Sequence, residues 1–150
     1  MSQTVKHAVI VCHPAEESFT MSVAKRYADT VRARGQEVVL RDLYRMDFDP
    51  VLRDDERLGE PAQDVTQEWA LLGKSDIFVL VYPIWFGAPP AMLVGYIDRV
   101  FGAGRERGIG GEGGDGELLA GKRLVSLTSS GSMRAWLNEK GVLNSRRTVY

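Results

Sequence analysis

The run Ile77-Phe78-Val79-Leu80-Val81 is apolar without a break. A strand wetted on one face alternates apolar and polar residues. A strand covered on both faces reads as continuous, the pattern of parallel sheets flanked by helices. This run, within residues 76–82, has three companions rich in β-branched residues: 5–11, 37–41 around Val38-Val39-Leu40, and 122–128. Helical patterns separate them. Ser18 is placed to cap a helix in which Phe19, Val23, Tyr27 and Val31 recur every four residues and which Gly35 ends. Lys25, Arg26, Asp29, Arg32 and Arg34 fill its other faces. Residues 61–73 group Val65, Trp69 and Leu72, and residues 90–101 group Leu93, Ile97 and Phe101. A shorter pattern starts near Ser132 and fades by Gly141. Strands alternating with helices over short connections predict an α/β fold with a doubly wound parallel sheet.

At 150 residues the chain suits one domain with its own core, and no repeat or boundary divides residues 1–150. A formal charge of −1 supplies no basic stripe, so nucleic acid is not an expected partner. A lone Cys12 excludes an internal disulfide framework. No apolar stretch approaches a signal peptide or a membrane span, so the expected location is cytoplasmic. Two segments do not fit the alternation. Residues 44–60 carry Asp47, Asp49, Asp54, Asp55 and Glu56 around Pro50 and are expected to form a solvated surface loop without calcium-loop spacing. Residues 102–121 hold nine of the sixteen glycines and are expected to be mobile.

Ligands of open parallel sheets bind beyond the carboxyl ends of the strands, so the residues after each strand are the ones to read. After the first come Cys12-His13-Pro14-Ala15-Glu16-Glu17-Ser18-Phe19-Thr20. This loop enters a helix N-terminus, whose free amides and dipole suit a phosphate, although any capped helix shows part of that pattern. No G-x-G-x-x-G fingerprint is present, which disfavours a Rossmann site. After the third strand, Pro83-Ile84-Trp85-Phe86-Gly87-Ala88-Pro89-Pro90 form a rigid turn bearing large aromatic residues. Such a turn offers a wall to a flat conjugated ring. After the fourth, Thr128-Ser129-Ser130-Gly131 are small enough for a ligand to approach the backbone closely.

These residues carry a resemblance. Pro83-Ile84-Trp85-Phe86, Pro90-Ala91, Leu93, Gly95-Tyr96 and Asp98-Arg99-Val100-Phe101 look like the signature turn and helix of the flavodoxin-like NAD(P)H:quinone oxidoreductase family, with Val94 where that family usually has lysine. His13, Pro14, Ser18 and Phe19 are similar to its first loop. Asp42-Leu43-Tyr44 with Phe48-Asp49-Pro50 resembles its stretch after the second strand, and Thr128 to Gly131 its fourth loop. The resemblance implies a flavodoxin-like sheet of order 2-1-3-4, the family's fifth strand being absent or truncated. It implies a flavin, FMN in preference to FAD in so short a chain. NAD(P)H would pass hydride through flavin N5 to quinones or related azo and nitro acceptors. By position, His13, Ser18, Phe19 and Thr20 would hold the flavin phosphate. Pro83, Ile84, Trp85 and Phe86 would line the ring, and Thr128, Ser129, Ser130 and Gly131 would offer amides to its pyrimidine side. No side chain is assigned a catalytic role, because the cofactor carries the chemistry.

The family's Tyr/His pair is not matched at Met133-Arg134-Ala135-Trp136. Cys12 reads as a buried structural residue rather than a nucleophile paired with His13, and His7 as a packed or strand-edge histidine. Without a fifth strand, Leu124-Val125-Ser126-Leu127 forms an apolar edge, which predicts pairing with a second copy in a homodimer. Two other functions stay open: a flavodoxin-type electron carrier, and a flavin-binding ancillary subunit.

Overall fold

A computed structural model describes residues 4–58, 60–102, 121–132, 138–139 and 141. Four parallel strands lie in the order β2-β1-β3-β4: β1 (Lys6–Val11), β2 (Glu37–Asp42), β3 (Ile77–Pro83) and β4 (Arg123–Ser129). Each lies within a residue or two of its expected run. The helices are α1 (Phe19–Ala33), α2 (Asp54–Leu58), α3 (Gln63–Leu72) and α4 (Ala91–Tyr96), the last continuing into a π-helical turn, Ile97–Gly102.

The unbroken β3 run is buried on both faces, as its composition requires. Val79 and Val81 pack with Val9, Val11, Met21 and Ala24 beneath α1. Phe78, Leu80 and Tyr82 pack with Ala8, Ile10, Leu72, Leu93, Tyr96 and Val100 under α3 and α4. Alternate strand residues thus feed two cores, one on each side of the sheet. Among the described residues β2 and β4 are the outer strands, and β4 is the more open to solvent, with Leu124 exposed.

Three expectations need correction. The buried seam of α1 is Thr20, Met21, Ala24, Ala28 and Val31, while Phe19 is 73% exposed and Val23 and Tyr27 flank the seam. Two alanines let the helix lie close to the sheet, so the larger side chains sit beside the contact line. Residues 44–60 are not simply a solvated loop. Phe48 is buried against Tyr96, α2 forms within the segment, and Glu56 is buried. Pro50 packs on Gly95, and Arg99 reaches Glu56, so distant partners hold what local composition read as free. The helix expected over 90–101 changes to π geometry at Ile97. The glycine-rich expectation at 102–121, the helix expected over 132–141 and the unmatched residues 133–136 fall wholly or mainly outside the described residues.

His7 is packed as expected, its Nδ1 2.9 Å from the Tyr27 hydroxyl. Cys12 is fully buried, and burial pushes its thiol up to about 12. At pH 8 about one thiol in ten thousand is then ionised. A thiol-specific reagent should leave Cys12 unlabelled in the native chain and label it in urea. Native labelling within minutes would contradict this burial.

Candidate functional site

Parallel register places three strand exits side by side. Val11 lies opposite Val81, and the Cys12 amide donates to the Val81 carbonyl at 2.9 Å, so the loop after β1 leaves beside that after β3. Tyr82 and Pro83 lie opposite Thr128 and Ser129, and the Ile84 amide donates to the Ser129 carbonyl at 2.7 Å. The loops bearing all twelve predicted site residues therefore share the carboxyl rim of the sheet.

In the first loop Ser18 is the N-cap of α1, its hydroxyl oxygen accepting from the Met21 amide at 3.1 Å. The first backbone bond of the helix runs from the Ser22 amide to the Ser18 carbonyl. The amides of Phe19 and Thr20 thus have no acceptor within the helix, the arrangement that receives an anion. Thr20 is buried, and Phe19 stands exposed beside it. His13 is half-buried, its ring 6.1 Å from that of Trp85, which ties this loop to the next.

After β3, Pro83 and Ile84 are buried and form the floor of the turn. The Trp85 and Ala88 backbones exchange two 2.9 Å hydrogen bonds, closing a tight turn. Its central residues have positive φ, 51° at Phe86 and 81° at Gly87. Glycine accepts that conformation freely, whereas a bulky residue there is strained. The result is outward display of aromatic surface: Trp85 is 39% exposed and Phe86 fully so. After β4, Thr128 is exposed, Ser129 half-buried, and the Ser130 hydroxyl accepts from the Ser132 amide at 3.0 Å. A Cβ built on Gly131 would meet none of the described residues within 4 Å, so the turn is open on that side among them.

A groove of about 400 Å³ runs from Phe19 and Thr20 across Val81 and Tyr82 to Thr128 and Ser129. Its size suits a small-molecule site. A smaller hollow of about 140 Å³, between Phe78, Leu80, Ile97, Phe101 and Leu124, lies on the opposite face of the sheet.

Sequence reading passed over Arg45, in the turn after β2. Its guanidinium donates to the carbonyls of His13 at 2.9 Å and Pro14 at 2.7 Å. The one available signal was a basic residue three positions beyond Asp42, at the same rim.

The flavodoxin-like fold family matches residues 5–147. The chain belongs to that family. Over 105 residues, 67% of this chain and 52% of the relative, this flavodoxin-like chain is 36% identical to an uncharacterized NAD(P)H oxidoreductase of Haemophilus influenzae. It is 27% identical over 146 residues to NAD(P)H dehydrogenase (quinone) 1 of Cavia porcellus, covering 83% of this chain and 53% of that one. Among solved structures, the NAD(P)H:quinone oxidoreductase from Methanothermobacter marburgensis superposes with a TM-score of 0.82 at 26% identity, over 98% of this chain and 75% of that one. The chain spans about half the length of the curated relatives it matches. Among the described residues no helix is long and apolar enough to cross a membrane.

Proposed function

We propose that this flavodoxin-like chain binds a flavin and serves an NAD(P)H oxidoreductase acting on quinones or related azo and nitro compounds. One observation carries the reading: open amides, an exposed aromatic turn and a small-residue turn share one rim of the sheet, and a groove of about 400 Å³ joins the first of these to the third. Similarity to NAD(P)H oxidoreductases and quinone reductases supports it. A bound flavin supplies two-electron chemistry between NAD(P)H and the acceptor.

The donor set fits such a group. The Phe19 and Thr20 amides, with the hydroxyl of Ser18 and the ring of His13, hold the phosphate end, aided by the α1 dipole. Trp85 and Phe86 offer flat surface to the ring system over the floor of Pro83 and Ile84. Thr128, Ser129, Ser130 and Gly131 present polar backbone to its carbonyl edge, where fixed donors stabilise added negative charge. We take the flavin to be FMN, with FAD the alternative. The partner this reading favours is a second copy, because apolar Leu124 is exposed on β4, an outer strand among the described residues.

Supplied with FMN, the full-length protein should oxidise NADH or NADPH in the presence of a soluble quinone. Trp85→Ala should weaken FMN binding about tenfold, the scale of one lost aromatic contact. Absence of quinone-dependent turnover in a flavin-loaded chain would overturn the enzymatic reading. Unchanged affinity in the variant would remove Trp85 from the site.

A further inference from the structure

We infer that Arg45 is a positioning residue of this rim: by gripping two consecutive carbonyls of the first loop, it fixes the His13 imidazole as the tautomer whose Nε2–H is left for an anion. The inference rests on the proposed flavin reading only for the identity of that anion.

The Arg45 guanidinium donates through Nη1 to the His13 carbonyl and through Nη2 to the Pro14 carbonyl. Asp42, 3.6 Å from Nη1, balances its charge from the end of β2. A planar fork held on two successive carbonyls fixes two peptide planes at once. In a trans peptide the amide points opposite to the carbonyl. With the Pro14 carbonyl drawn to Arg45, the Ala15 amide is therefore turned the other way, and it lies 3.1 Å from His13 Nδ1. An Nδ1 that accepts this bond carries no proton, so the neutral ring bears its hydrogen on Nε2. Nδ1 also stands 3.2 Å from the Ala15 carbonyl, a contact that the other tautomer would use. The hold of Arg45 on the peptide plane selects the amide instead. The same ring faces Trp85 at 6.1 Å, so its orientation also sets one side of the aromatic wall.

Nitrogen-15 spectra of the full-length protein at about pH 8, where an ordinary histidine is neutral, test this directly. The wild type should show His13 protonated at Nε2 and bare at Nδ1. Arg45→Ala should give a mixture of tautomers. Arg45→Lys keeps the charge but loses the fork, and should do the same. Both variants should bind FMN about tenfold more weakly while riboflavin, which lacks the phosphate, changes by less than about twofold. A wild-type ring protonated at Nδ1 would overturn the inference. So would variants that keep the Nε2–H tautomer, an Arg45→Lys chain indistinguishable from wild type, or equal losses for FMN and riboflavin. Should the wild type bind neither flavin, the proposed ligand fails, and the tautomer spectra alone decide the role of Arg45.

Discussion

Arg99→Ala should lower the unfolding free energy by about 3–5 kcal/mol, the cost of removing one partner from a buried ion pair. Arg99 is 2% exposed on the π-helical turn. Its Nε donates to both Glu56 oxygens at 3.1 and 2.9 Å, and Nη1 and Nη2 reach Asp64 at 2.7 and 2.9 Å. Nη1 also donates to the Asp49 carbonyl, and the guanidinium lies 4.8 Å over the Phe48 ring. Truncation would strand Glu56, itself 6% exposed, with no counter-charge from Arg99. It would also release the segment joining β2 to α3.

The same cluster fixes a pH signature. Burial pushes the Asp64 carboxyl up, but hydrogen bonds and charge from Arg99 outweigh it and hold the group below its ordinary value. A carboxyl depressed in the folded state stabilises above its unfolded value, about pH 4, and that contribution disappears as pH falls through the folded value. Wild-type stability should therefore decline into the acid range more steeply than that of Arg99→Ala. Denaturant unfolding at neutral and acid pH measures both effects. A neutral-pH loss below about 1 kcal/mol would mean that the cluster acts as an exposed pair does.

Gly95→Ala should be the second large loss, about 2–3 kcal/mol net. A Cβ at Gly95 would sit 2.1 Å from the Pro50 carbonyl oxygen and 2.8 Å from its carbonyl carbon. Those are backbone atoms and cannot rotate aside. Alanine's better helix propensity returns about 1 kcal/mol and does not offset the clash. Because Pro50 is held between the buried Phe48 ring and the Arg99 cluster, the segment cannot simply lift away. Equal unfolding midpoints for Gly95→Ala and wild type would contradict the close approach of Pro50 to α4.

Legibility in the sequence followed the range of each interaction. Strand identity was readable because burial on both faces writes itself locally: the run from Ile77 to Val81 needs no distant information to declare a covered parallel strand. The Ser18 cap and the order of the three loops were readable for the same reason, since strand direction alone decides which residues reach the carboxyl rim. The α1 seam was misjudged because a four-residue period favours large side chains, whereas Ala24 and Ala28 make the contact. Glu56 looked like a solvated acid because its partner lies 43 residues away. Arg45 was invisible for a related reason: it recognises carbonyls of backbone 31 and 32 residues earlier, and carbonyls have no signature in composition.

Equilibrium titration of the flavin-free, full-length protein with FMN and with FAD, followed by flavin fluorescence, bears most directly on the convergence of the three loops. Saturable binding with a Kd below about 10 μM for at least one flavin is the predicted result. A folded protein that leaves the fluorescence of both unchanged at concentrations well above that would contradict the account.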